Sequence, residues 1–174
     1  ERNIQEPDQV RRLVADLRAS VAHADAPVLI DQEGGRVQRL RPPHWRAAAP
    51  AARFGALARR QAQSAAKAVF LNHQLIGAEL ASLGIDVDCA PLIDVHQPGA
   101  HDVIGDRAFS GDPEEVATLG RAATDGLISA GITPIIKHIP GHGRSMVDSH
   151  HDLPRVATPH DELARTDFQS ESVV

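Results

Sequence analysis

The sequence predicts a parallel α/β fold, on three observations. Short apolar runs at Val28–Ile30, Ile85–Ala90 and Ile132–Ile136 are separated by segments of helical periodicity. Each run empties into a polar loop, the usual layout of an α/β functional edge. The 174 residues are enough for one domain with a real hydrophobic core. Periodicity does not separate a closed barrel from an open doubly wound sheet, and loops that follow strands suit both.

Pro7 opens the first helix, in which Val10, Leu13, Val14, Leu17 and Val21 share one face. The strand Val28–Ile30 then leads into Asp31-Gln32-Glu33-Gly34-Gly35-Arg36, where glycines permit backbone geometries that other residues resist. Residues 41–55 are rich in Pro, Ala and Arg without periodicity and read as loop with at most a short turn. A long helix is expected from about Leu57 to Leu83, burying Val69, Leu75, Ile76, Leu80 and Leu83, with Gly84 at its end. After the strand Ile85–Ala90, Asp112-Pro113-Glu114-Glu115 is a strong helix start: a capping carboxylate, a first-turn proline and an acid three residues after the cap. Val116, Leu119, Ala123 and Leu127 form its buried stripe, and Gly131 breaks it. Pro134 blurs the limits of the third strand. Thr158-Pro159-His160-Asp161 starts a last helix near Leu163, with Thr158 as the expected cap.

Composition narrows the function classes. The chain is 42% hydrophobic and 24% charged, and a net charge of -5 gives no reason to expect nucleic acid. No apolar run approaches the roughly 18 residues of a membrane span, and Glu1-Arg2-Asn3-Ile4 holds no apolar leader core. Those first residues read like the middle of a domain. Cys89 is the single cysteine, so no internal disulfide forms, which fits a reducing compartment without requiring one.

Chemistry-bearing residues concentrate after the strands. Lys137-His138 follows the third strand, and Pro140-Gly141-His142-Gly143 forces a tight turn. In Asp148-Ser149-His150, the carboxylate can hold one ring nitrogen while the other serves as acid and base; solvated loop residues are the plainer alternative. Asp31 and Glu33 could be paired carboxylates, or one of them could simply orient Arg36 or Arg39. Arg107, in Asp102-Val103-Ile104-Gly105-Asp106-Arg107, could grip a hydroxyl-rich or anionic ligand, or be a surface ion-pair residue. His138, His142, Asp148 and His150 are acceptable zinc ligands, with His101-Asp102 as a further pair, but their order matches no compact ligand motif. Trp45 could be a sugar platform or a packing residue, and His23 reads as a solvated side chain.

Three segments carry a resemblance: Asp31–Val37 (D-Q-E-G-G-R-V), Val103–Phe109 (V-I-G-D-R-A-F) and Lys137–His150 (K-H-I-P-G-H-G-R-S-M-V-D-S-H). Together, and in this order, they resemble glycoside hydrolase family 3, in particular its single-domain bacterial β-N-acetylglucosaminidases. The likeness fades after about Phe168. It implies a TIM-like (β/α)8 barrel with its active site at the carboxyl ends of the strands. Residues 1–174 are then expected to be a partial barrel domain that lacks the C-terminal strands and either lacks the first strand or keeps it, with the strand before Asp31 shorter than the family pattern.

The implied reaction is retaining hydrolysis of terminal non-reducing β-N-acetylglucosamine, from N-acetylglucosaminyl-anhydromuramyl peptides of peptidoglycan recycling. In the resemblance His150 is the acid and base, Asp148 supports it, and Asp31, Arg39, Arg107, Lys137 and His138 bind the sugar. His142 is assigned to loop support. The family nucleophile is an aspartate in a later S-D-D-like motif that these residues do not contain; Asp167 resembles a structural position. No cofactor and no metal is implied. The expected partner is an N-acetylglucosamine-containing muropeptide or saccharide, with no nucleic acid and no membrane, for a cytoplasmic protein that is monomeric at full length. The alternatives are a noncatalytic sugar-binding or structural fragment, a related β-glucosidase and a metal-dependent hydrolase.

Overall fold

The computed structural model describes residues 3–21, 23 and 25–171, the side chains of 170 and 171 excepted. Glu1 and Arg2, from the segment searched for an apolar leader core, and residues 172–174 lie outside the described residues. The elements are α1 (Pro7–Ser20), β1 (Leu29–Ile30), β2 (Gln32–Gly34), β3 (Val37–Gln38), α2 (Ala51–Ala58), α3 (Ala62–Ala81), β4 (Val87–Asp88), α4 (Pro113–Ser129), β5 (Thr133–Pro134), α5 (His160–Arg165) and α6 (Asp167–Glu171). A 3-10 turn covers Gly105–Arg107.

The expected parallel ladder is present, in the order β1-β4-β5. Leu29 pairs with Val87 and Val87 with Thr133; Ile30 pairs with Asp88 and Asp88 with Pro134. The paired strands are shorter than the apolar runs, but backbone bonds continue beyond them: Cys89 N–H donates to Ile30 O at 2.8 Å and Ile93 N–H to Lys137 O at 2.7 Å. Pro134 fits because Thr133 and Ile135 are the residues that donate to β4, through Asp86 O and Asp88 O. The missing N–H falls on the outer side of an edge strand, where proline is tolerated. The hairpin β2–β3 sits apart from this ladder, with Gln32 opposite Gln38.

Helices cover one face of the ladder. One core cluster joins Val10 and Val14 of α1 to Ile76, Leu80 and Leu127; another joins Ala58, Ala65 and Val69 to Phe109, Val116, Leu119 and Ala123. The α4 start is as expected: Asp112 accepts from Glu114 N–H and Glu115 N–H, and Pro113 occupies the first turn. All four residues of its expected stripe are buried. A Cβ on Gly126 would collide with the Phe70 carbonyl, so glycine lets α4 press against α3. Among the described residues no helix is long and apolar enough to cross a membrane.

Four expectations need correction. Leu17 and Val21 are exposed, because α1 buries only Val10 and Val14 while Arg18 at its end reaches Asp86 and the Ala26 carbonyl. The long helix is two helices, and α2 takes up part of what read as loop. Gln61 leaves the helical conformation, with φ -152° and ψ 75°, and α2 passes so close to the Phe109 carbonyl that only Gly55 fits there. Leu75 is exposed; the buried stripe of α3 runs through Val69, Asn72, His73, Ile76 and Leu80 instead. Pro159, not Thr158, flanks the start of α5, and it offers no capping side chain.

Candidate active site

Strand alternation places Asp31 on the same side of β1 as Leu29, and Ile135 and Lys137 on the same side of the third strand as Thr133. Since Leu29, Val87 and Thr133 are in register, these ends converge on one mouth. There Lys137 Nζ lies 2.8 Å from Asp31 Oδ1 and 2.6 Å from Glu33 Oε1. Arg107 grips Glu33 with both arms of its guanidinium: Nε and Nη2 donate to the two carboxylate oxygens at 2.9 Å each. Such a fork fixes orientation as well as charge. Arg39 completes the floor, 3.5 Å from Asp31 Oδ2.

The electrostatics follow from this packing. Partial burial pushes the Asp31 carboxyl up, but the bonded Lys137 ammonium and the nearby Arg39 outweigh it and hold the group below its ordinary value. Burial likewise pushes Lys137 down, and Glu33 and Asp31 more than reverse it; Glu33 does the same for Arg107. Asp31, Lys137 and Arg107 are therefore each favoured in their charged forms by their partners.

Beside it, His138 Nδ1 lies 2.7 Å from Oδ2 of Asp94, whose side chain is fully buried. The other Asp94 oxygen accepts the His142 backbone N–H. The His142 ring meets that of His138 edge to face, at 5.9 Å between centroids. Its Nε2 is buried without a hydrogen-bond partner among the described residues.

Beyond His142 the chain leaves the body and returns as a loop. Its base is fixed: Gly143 sits so close to the Val95 carbonyl that no Cβ would fit, and Arg144 Nε donates to the buried Asp167 at 2.8 Å. Its far part is exposed, and there Asp148 Oδ1 lies 2.6 Å from His150 Nδ1 and accepts the His150 N–H at 2.9 Å. Those two bonds hold the Asp148 carboxyl below the usual carboxylate range. Asp31, Glu33, Arg39, Arg107, Lys137, His138, His142 and His150 line one cleft of about 190 Å³.

All seven sequence-predicted site residues thus meet around this cleft, Asp148 through its bond to His150. Arg107 is no surface residue, with 12% of its side chain exposed. Of the two readings of Asp31 and Glu33, Asp31 touches Arg39, while Arg36 is held by Asp102 and Asp106. Trp45 packs partly buried against the α1–α3 core. Among the described residues no three His, Cys, Asp or Glu side chains gather as a metal-binding group. Sequence reasoning missed Asp94, and it offered Glu33 as a paired carboxylate or a partner of Arg36 or Arg39, whereas Glu33 holds Arg107 and Lys137. Asp94 had a usable signal, a lone carboxylate closing the apolar run Pro91-Leu92-Ile93 on a functional edge.

The described cleft bears on a comparison with known proteins. The glycosyl hydrolase family 3 N terminal domain matches residues 1–170. The chain belongs to this family. A β-hexosaminidase of Xanthomonas euvesicatoria pv. vesicatoria is 42% identical over 153 residues, 87% of this chain and 44% of the relative. One from Xanthomonas oryzae pv. oryzae is 40% identical over 169 residues, 96% of this chain and 49% of the relative. Among solved structures, native NagZ from Neisseria gonorrhoeae superposes with a TM-score of 0.92 at 32% identity, covering 99% of this chain and 50% of that one. The same Neisseria protein has been solved in complex with N-trifluoroacetyl-D-glucosamine, again covering about half of that chain at a TM-score of 0.91. The chain spans about half the length of the curated relatives it matches. Its ladder with helices on one face is accordingly part of the family 3 barrel.

Proposed function

We propose that these residues form the sugar-binding and proton-transfer part of a retaining β-N-acetylglucosaminidase. The observation that carries the reading is the shared cleft, which joins a charged hydroxyl-binding floor to the His150–Asp148 pair. At about 190 Å³ it falls below the roughly 300–1,000 Å³ of drug-sized sites and suits a single sugar ring. Lys137, Arg107 and Arg39 offer donors, and Asp31 an acceptor, to ring hydroxyls. A site whose polar groups include the largely buried Lys137 and Arg107 rejects an analogue lacking the matching hydroxyl more strongly than an apolar pocket would.

Asp148 on Nδ1 leaves His150 Nε2 for the substrate. In the first step, Nε2–H protonates the glycosidic oxygen as the bond from that oxygen to the anomeric carbon breaks. The family's nucleophilic aspartate, from a segment these 174 residues do not contain, closes on the anomeric carbon to give a glycosyl ester. In the second step, neutral Nε2 takes a proton from water, whose oxygen displaces the ester. Asp148 keeps the ring oriented and stabilises the imidazolium in both directions.

The N-acetyl preference is supported by the relatives' names and by the N-acylglucosamine bound to the Neisseria protein. The aglycone we assign, from the motif resemblance alone, is the anhydromuramyl peptide of peptidoglycan recycling, acted on in the cytoplasm by a monomeric enzyme. The deciding experiment is hydrolysis of a chromogenic β-N-acetylglucosaminide by the verified full-length protein, with the matching β-glucoside as control. Preference for the N-acetylglucosaminide is expected; equal or greater glucoside turnover would overturn the assignment.

A further inference from the structure

Asp94 stands behind the cleft, and its contacts determine more than packing. The bridge between Leu92 and Lys137 and the bond from Ile93 N–H to Lys137 O tie the two strand ends together, which makes Asp94 a fixed neighbour of His138. Its side chain is fully buried, and both oxygens are used. As a carboxylate it offers acceptors only. The His142 N–H occupies Oδ1, so Oδ2, 2.7 Å from His138 Nδ1, requires that nitrogen to carry the hydrogen. A neutral His138 ring is then left with Nε2 as an acceptor on the cleft wall. The floor beside it presents the donors Lys137, Arg107 and Arg39 together with the acceptor Asp31. A further acceptor on that wall suits a ligand group that both accepts and donates, which a hydroxyl does.

We propose that Asp94 is a positioning residue for sugar recognition: it fixes His138 as the Nδ1–H tautomer and ties that choice to the base of the His150 loop. The second half follows from the shared carboxylate. The oxygen that holds His142 N–H anchors the turn from which the loop departs, and Gly143 seats that turn against the Val95 carbonyl. Sugar recognition and loop origin thus hang on one buried side chain. The inference rests on the sugar-cleaving reading of the cleft.

The test is nitrogen NMR of the full-length protein labelled at histidine, taken about two units above the ordinary imidazole pKa so that neutral rings dominate. The His138 signals are identified by their loss in His138→Gln. The Nδ1–H tautomer is expected in the wild type. In Asp94→Asn the amide oxygen stays on His142 N–H, so the amide nitrogen donates to His138 and inverts the tautomer. Affinity for N-acetylglucosamine is expected to weaken about tenfold or more, with KM rising more than kcat falls. A purely packing role would leave tautomer and affinity alike in the folded fraction. An Nε2–H tautomer in the wild type, or inversion without loss of affinity, would overturn the proposal. The wild-type spectrum decides the tautomer even if Asp94→Asn does not fold. Because it is recorded without sugar, a protein inactive on N-acetylglucosaminides would sink the reading of the cleft and leave this measurement standing.

Discussion

On the cleft floor, five charged side chains from three distant segments hold one another, whereas Asp148 and His150 on the loop lie two residues apart and bond within the loop. Glu33 and Arg107 are 8% and 12% exposed, and His150 is 78% exposed. Glu33, Arg107 and Lys137 are fixed because removing one of them strands a charge in a desolvated place. The loop pair owes its mutual geometry to its own two bonds, made within one turn of chain. The proposed retaining reaction needs both kinds of construction. The sugar must be held still, while the same imidazole serves first the leaving oxygen and then a water.

The sharpest way to break this contrast is His150→Ala. It should lower kcat/KM by roughly 10²–10⁴-fold. N-acetylglucosamine affinity by calorimetry should hardly change, and the unfolding free energy should stay within about 0.5 kcal/mol of wild type. Loss of ground-state affinity of similar size would show that the loop is part of the floor.

Glu33→Ala should do the reverse. Arg107 and Lys137 lose their shared carboxylate, and denaturant unfolding should show a loss of about 3 kcal/mol. Sugar affinity should fall with it.

Asp88 tests the layer behind the floor. It accepts the Gln32 N–H at 2.9 Å, and Gln32 Oε1 in turn accepts the N–H groups of Arg39 and Leu40, so this buried acid helps seat the whole Asp31–Arg39 hairpin. Burial raises its pKa from 3.8 to about 7, partly offset by the Gln32 bond. Between those values the unfolded chain has released the proton while the folded chain keeps it. The Asp88 contribution is therefore fully present below about pH 4 and lost as pH rises to about 7. Asp88→Asn removes the titration, so its stability relative to wild type should grow by roughly 2–4 kcal/mol across that window. A pH-independent difference in urea titrations would count against the buried protonated carboxyl. At the small end, Leu153→Ser on the 79%-exposed loop position should change stability by less than about 0.5 kcal/mol in thermal melts.

The helix starts at Pro7 and Asp112 were legible because capping and first-turn proline are local effects, settled within one turn of chain. The break at Gln61 was not, because no proline or glycine marks it in the sequence. The exposure of Leu75 was also hidden, since helical spacing alone does not say which of two apolar faces meets the sheet. The candidate site was legible mainly as motifs. Asp31, Arg107, Lys137 and His150 stood out by their positions after strands or in the three recognisable segments.

By itself the sequence determined the alternation of strands and helices, the positions of the polar loops, and the Asp148–His150 pair, whose partners lie within reach of each other along the chain. Only the tertiary structure decided that Glu33 belongs to Arg107 across 74 residues, Lys137 to Asp31 across 106, and His138 to Asp94 across 44. Those pairings depend on strand register. A slip of one residue would turn Asp31 or Lys137 to the opposite face, and the register is set by the packing of α3 and α4 against the ladder, which no local signal encodes.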